Sequence, residues 1–262
     1  MQTIRVGSSG AAVRRWQTFL LGQGFAAGHA DGQFGQLTHQ ATIAFQQKHR
    51  LDADGVVGNR TYGQAMLLGF GLVRDDQPGM EGPNFPPPPA FAPLTANRDR
   101  QQLFGAYRFE AAPTDHDPEA IVILDDWEST NIEWVNVPQL AGFRNAKRNG
   151  DVQFHKLVAA QLVNLWQAWE SEGLLDRVLS FEGSYVPRFI RGSRTTLSNH
   201  AFGSAFDINL RWNRLGAVPA LVGEAGSVRE LVATANRFGF YWGGHFRDRP
   251  DGMHFEIAQH LP

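Results

Sequence analysis

The chain has 262 residues, 42% hydrophobic and 19% charged, which is enough for two domains with sizeable cores. Its 24 basic and 26 acidic residues leave a formal net charge of −2 without any basic run, which argues against a nucleic-acid partner. Cysteine is absent, which excludes thiolate metal sites and cysteine nucleophiles, and no apolar run reads as a membrane span or a signal peptide.

The first seventy residues contain an internal repeat. Asp31-Gly-Gln-Phe-Gly-Gln-Leu-Thr38 matches Asp54-Gly-Val-Val-Gly-Asn-Arg-Thr61 in the pattern Asp-Gly-x-x-Gly-x-x-Thr. Asp-Gly favours a tight turn, and the threonine stands where a helix cap is expected. Ala41, Ala44, Phe45 and Lys48 then follow at helical spacing, and Val13, Trp16 and Leu20 mark an earlier helix. Three short helices around one small core are expected here.

From Gln77 to Pro93 the composition changes, and seven of the chain's 14 prolines fall in this stretch. Such a segment is an extended, semi-rigid spacer, expected to hold the two halves of the chain apart. The organisation expected is therefore a helical domain over 1–73, a Pro-rich linker over 74–96 and a second domain over 97–262.

In the second half, Ile121 to Leu124 reads as a buried strand. Val158, Leu162, Leu165 and Trp169 share one face of a helix between Phe154 and Glu172. A second amphipathic helix carries Val228, Leu231, Val232, Ala235 and Phe238 and is closed by Gly239. Helices and short strands together predict an α+β domain with a small antiparallel sheet. Asp115-His116-Asp117 precedes a proline and reads as a solvated loop.

Two short segments carry the chemistry. Ser198-Asn199-His200-Ala201-Phe202-Gly203-Ser204-Ala205-Phe206-Asp207 offers an imidazole and a carboxylate, and Asp251-Gly252-Met253-His254-Phe255-Glu256 adds a second imidazole and a second carboxylate. His200, Asp207 and His254 can give a catalytic zinc its usual three protein ligands. Alternation in Asp207–Leu210 and Phe255–Ala258 predicts neighbouring strands, with His254 at the start of one. Gly252 permits a turn that would bring Asp251 to a water at the metal, where it would accept a proton. Arg188 is the first choice to hold a developing oxyanion, with Arg191 and Arg194 as rivals. Glu256 is expected either to support His254 or to face solvent. Ser198, at the head of the first segment, and His245 are expected to line a substrate pocket.

Ser-x-His-x6-Asp followed by Asp-x-x-His resembles the M15 family of zinc peptidases. That resemblance covers about Asn97 to Glu256. It implies one zinc ion per chain on His200, Asp207 and His254, with Asp251 as catalytic base. The family's oxyanion arginine usually follows an aromatic residue directly, whereas here Val186 and Pro187 separate Tyr185 from Arg188.

The N-terminal pieces are similar to a peptidoglycan-binding domain of the PGBD type. They are Val6-Gly7, Val13-x-x-Trp16-Gln17, Asp31-Gly32-x-Phe34-Gly35, Ala44-Phe45-Gln46 and Asp54-Gly55-x-Val57-Gly58-x-x-Thr61. Most of these residues make turns and core, so wall contacts are expected from the loops around Asp31 and Gln33.

Together the two resemblances imply a monomeric peptidase with bacterial peptidoglycan as partner and no membrane insertion. It is expected to cut the stem peptide at the L-alanyl–D-glutamate bond, as a wall-lysing endolysin does. D-Ala-D-Ala carboxypeptidase or cross-link endopeptidase activity is the alternative within the class. A non-catalytic wall-binding protein is the alternative outside it. The expected location is the cytoplasm at synthesis and the cell wall in action, after release by a factor such as a holin or after secretion.

Overall fold

A computed structural model describes residues 1–71 and 85–262. The N-terminal module holds α1 (Ala11–Gly22), α2 (Gln36–Lys48) and α3 (Asn59–Met66). Their shared core centres on the fully buried Trp16, whose ring meets Phe19, Phe45, Tyr62 and Phe70 at centroid distances of 5.4–6.0 Å. Burying each such aromatic contributes about 1.5–3 kcal/mol. The repeat threonines do not cap the helices. Gly35 and Gly58 take the N-cap positions, and Thr38 and Thr61 sit inside the first turns with their hydroxyls buried.

The second half is α+β. It runs α4 (Asn97–Phe104), β1 (Phe109–Ala111), β2 (Ile121–Ile123), α5 (Trp127–Asn131), β3 (Ile132–Asn136), β4 (Asp151–His155) and α6 (Ala159–Ser171). Then follow β5 (Phe181–Gly183), β6 (Ala205–Ile208), α7 (Arg229–Arg237), β7 (Phe240–Trp242) and β8 (His254–Ile257). Two hairpin-like pairs, β1–β2 and β3–β4, flank a four-stranded antiparallel sheet of order β5-β6-β8-β7. Among the described residues no helix is long and apolar enough to cross a membrane.

Three sequence expectations need correction. The segment from Ile121 is not buried on both faces, since Val122 and Leu124 are exposed and β2 forms a two-stranded sheet with β1, while Ile121 N donates to Pro187 O at 3.0 Å. Phe154 and His155 end a strand, and the helix begins only at Ala159. The strand through Asp207 stops at Ile208 because Asn209 adopts a left-handed φ of 58°. The Asn209 amide ties that turn down, accepting from Leu179 N at 2.7 Å and donating to Gly226 O at 3.1 Å.

The spacer expectation also fails where it can be seen. Residues 74–84 lie outside the described residues. The following segment is fastened to the second half: Phe85 is buried against Trp242, and the Pro86 carbonyl accepts a 2.7 Å hydrogen bond from His245 Nε2. The two modules also touch. Val218 N donates to Gly69 O at 2.7 Å, Arg214 Nη1 to Gly22 O at 3.2 Å, and His29 Nδ1 to Gly192 O at 2.9 Å.

Candidate metal centre

The site grows out of the central sheet. β6 and β8 pair antiparallel with Phe206 opposite Phe255 and Asp207 opposite His254. Phe206 and Phe255 stack at 5.5 Å and pack on Trp169, in a core where all three are fully buried. Alternation then sends Asp207, His254 and Glu256 to the other face. A one-residue slip would carry these carboxylates into the core, so the aromatic face fixes the register of the polar one.

His200 reaches the same point from a 3₁₀ turn, Asn199–Phe202. Ser198 Oγ accepts from His200 N at 3.2 Å and starts that turn. Gly203 ends it with φ 61°, and a β-carbon there would lie 2.6 Å from Ile132 Cδ1. Only glycine meets both conditions without strain.

His200 Nε2, His254 Nδ1 and Asp207 Oδ1 converge, with separations of 3.2, 3.1 and 2.9 Å. The remaining ring nitrogens are committed. His200 Nδ1 donates to Ser184 O at 2.6 Å, and His254 Nε2 donates to Glu256 Oε2 at 3.0 Å. The two facing nitrogens therefore present lone pairs to each other and to a carboxylate, an arrangement that calls for a cation between them. A tetrahedral zinc with bonds of about 2.0–2.1 Å spaces its ligands by about 3.3 Å, close to what is seen. The residues fit the ion.

The electrostatics agree. Burial alone would raise the Asp207 carboxyl, but the two imidazoles reverse this and hold it well below the usual range. Burial opposes charge on the His254 imidazole, yet the Asp207 and Glu256 carboxylates outweigh it and push its pKa up, so positive charge is favoured at this point. Burial pushes the Asp251 carboxyl up to about 6, and the Asp207 charge adds to the effect.

Asp251 lies in a tight loop. Its N–H donates to Gly243 O at 2.9 Å, and its carbonyl accepts from His254 N at 3.1 Å. Its Oδ1 is buried without a partner. The expected turn glycine, Gly252, has no left-handed φ; instead a β-carbon there would meet Pro219 at 2.6 Å, so close approach is what it provides.

The arginines separate by their partners. Arg191 is held by Glu119 at 2.9 Å and Asp117 at 3.8 Å, and Arg194 is exposed outside the cleft. Arg188 lines the cleft half-buried, within reach of the Asp207 and Asp251 charges, and its Nη1 donates to Phe189 O at 3.3 Å. Arg249 was missed by sequence reasoning. It is half-buried, within reach of the Asp251 charge, and donates to Arg191 O at 3.0 Å. Its place two residues before Asp251 was the available signal. Asn199 was missed as well. It donates to Glu256 and accepts from Arg100 Nε at 3.0 Å, extending the support behind His254.

These residues surround a cleft of about 900 Å³, and Ser198 and His245 line it too. Ser198 is engaged in the His200 turn, and His245 in the Pro86 contact, with His245 Nδ1 unpartnered. Asp31 and Gln33 lie elsewhere, in the N-terminal module. Asp31 Oδ1 accepts from Gln17 Nε2 at 2.9 Å and Gln33 N at 2.8 Å, so it organises its own turn. Asp115 and His116 are exposed at the cleft rim, as a solvated loop requires, while Asp117 turns to Arg191.

Residues 191–257 match the family model described as D-alanyl-D-alanine carboxypeptidase, of the M15 peptidase type. Residues 9–64 match the model of a peptidoglycan binding domain. The first match contains His200, Asp207, Asp251 and His254 and begins after Arg188. Among solved structures, the SleB N-terminal domain is 37% identical over 26% of this chain and 92% of its own, with a TM-score of 0.25. A Burkholderia AP3 phage endolysin is 38% identical over 24% of each chain, with a TM-score of 0.24. A fused Zn-dependent amidase/peptidase/peptidoglycan-binding protein from Clostridium acetobutylicum is 34% identical over 24% of this chain and 28% of its own, with a TM-score of 0.22.

Proposed function

Since the chain joins an N-terminal peptidoglycan-binding domain to an M15-type peptidase segment, we propose that it is a zinc-dependent peptidase of the peptidoglycan stem peptide. We assign it the L-alanyl–D-glutamate bond and a wall-lysing, endolysin-like role. The observation that carries this reading is the convergence of His200, Asp207 and His254 beside the unpartnered Asp251 Oδ1, in one open cleft.

His200 Nε2, Asp207 Oδ1 and His254 Nδ1 would hold the ion. When bound, zinc would polarise a scissile carbonyl and lower the pKa of a water. Asp251 Oδ1 is placed to accept a proton from the attacking water and to return it to the leaving amine. Arg188 faces the negative charge that develops on the substrate's carbonyl oxygen. Glu256 fixes the His254 tautomer, as the Ser184 carbonyl does for His200. The N-terminal domain raises the local concentration of enzyme at the wall. Delivery there by a holin-like factor or by secretion belongs to the same proposal.

The description of the matched family favours a second reading, cleavage at D-alanine. Mass spectrometry of muropeptides released from purified peptidoglycan decides between them, with His254→Ala run alongside. New free amino termini of D-glutamate, absent with the variant, are expected. Loss of D-alanine would establish the second reading, and wall binding without any cleavage would overturn both.

A further inference from the structure

Part of the cleft wall comes from the other module. Leu21, Gly22, Gly24, Phe25 and Ala26, at the end of α1 and just after it, line the same cavity as His200, Asp207, Asp251 and His254. Phe25 is half-buried, propped by Phe45 at 5.7 Å and by the Lys48 ammonium at 5.2 Å from its ring centre.

The contact between modules is built for close approach. A β-carbon at Gly22 would lie 1.8 Å from the Leu215 carbonyl oxygen, and one at Gly216 would lie 2.7 Å from Phe19 N. Gly22 is the last residue of α1 and has no left-handed φ. Its own helix would accept alanine and gain by it. The demand for glycine therefore comes from the neighbouring module. Three hydrogen bonds, Val218–Gly69, Arg214–Gly22 and His29–Gly192, secure the same seam.

We propose that the N-terminal module is docked on the peptidase module and that its Leu21–Ala26 segment is a specificity-determining wall of the catalytic cleft. It grips the part of a disaccharide-peptide that extends beyond the scissile bond. The inference rests on the peptidase reading above. A cleft of about 900 Å³ sits at the upper end of the range for small-molecule sites and has room beyond a single dipeptide. Half of the recognition then lies outside the module that holds the metal ligands.

The test uses the full-length, zinc-loaded chain in an Asp251→Ala background, so that bound substrate is not turned over. Calorimetry compares two probes, a soluble disaccharide-tetrapeptide and the dipeptide L-alanyl-D-glutamate. Gly22→Leu, which wedges the seam open, is expected to weaken the long probe about tenfold or more and the dipeptide by less than about twofold. Phe25→Ala, which trims the wall without touching the seam, is expected to weaken only the long probe, by about threefold or more. Small-angle scattering checks that Gly22→Leu expands the molecule. Unchanged binding of the long probe by both variants would overturn the proposal, as would equal losses on both probes. Failure of the peptidase reading looks different: the chain with Asp251 intact would then leave the probe uncut, while the binding comparison still decides the wall.

Discussion

The two modules spend their motif residues in opposite ways. In the N-terminal module each repeat closes on a buried glutamine. Gln17 Nε2 donates to Asp31, the Gln33 carbonyl and Thr38, while its Oε1 accepts from Gly32 N. Gln46 does the same with Asp54, Val56, Thr61 and Gly55. Every polar atom of these motifs that the fold buries is answered by the fold. In the peptidase module the motif residues are held just as firmly, yet Asp251 Oδ1 and Glu256 Oε1 are buried without partners, and three ligand atoms face one another. Satisfied polar networks make a scaffold, and preorganised, unanswered ones make a reactive site.

The sharpest way to break this contrast is to remove a converging ligand. His254→Ala is expected to abolish bound zinc and lower peptidase activity by about 10³-fold or more, read by metal analysis and muropeptide release. Asp251→Ala is expected to cost about 10²–10⁴-fold in turnover while zinc content stays at one per chain. Full activity in that variant would remove Asp251 as the base. Glu256→Gln touches only the support behind His254, and about 10–100-fold weaker zinc binding in a chelator competition is expected. Unchanged affinity would reduce Glu256 to a packing role.

On the scaffold side the effects are smaller and concern stability. Gln17→Ala and Gln46→Ala each strip four hydrogen bonds and strand buried partners, so each is expected to cost about 2–4 kcal/mol in denaturant unfolding. Similar losses from both would show that the repeat is a repeat in energy as well as in sequence. The smallest expected effect is titration of His155. Burial between Phe104 and Trp127 pushes its imidazole down to about 4, and its neutral form donates to Phe104 O while accepting from Leu157 N. The folded value lies below the unfolded one, so this stability is complete above about pH 6.5 and is lost as pH falls towards 4. About 1–3 kcal/mol should disappear in that window. His155→Gln is expected to flatten the window, measured by unfolding at pH 4.5 and 7.5.

Much of this was legible in the residues. The repeat marked three helices because turn glycines and apolar spacing are local signals. His200, Asp207 and His254 were found because each lies on or beside a segment whose alternation is visible. Misjudged features were those decided by neighbours. Thr38 looks like a cap until Gln17 arrives from another helix. The same glutamine also donates a hydrogen bond to Asp31 Oδ1, which the sequence does not reveal. Arg191 stays a rival to Arg188 until Glu119, distant in sequence, ties it up.

The sequence by itself marked out the two modules, the His200, Asp207 and His254 cluster and Asp251 close to it in sequence, because these follow from backbone periodicity and from short spacings. Tertiary structure alone decided that Glu119 and Asp117 hold Arg191, that Arg100 and Asn199 stand behind Glu256, and that Pro86 is pinned by His245. It alone seated Gly22 under the Leu215 carbonyl. Those contacts join residues far apart along the chain, and no local propensity encodes which distant carbonyl a glycine will meet.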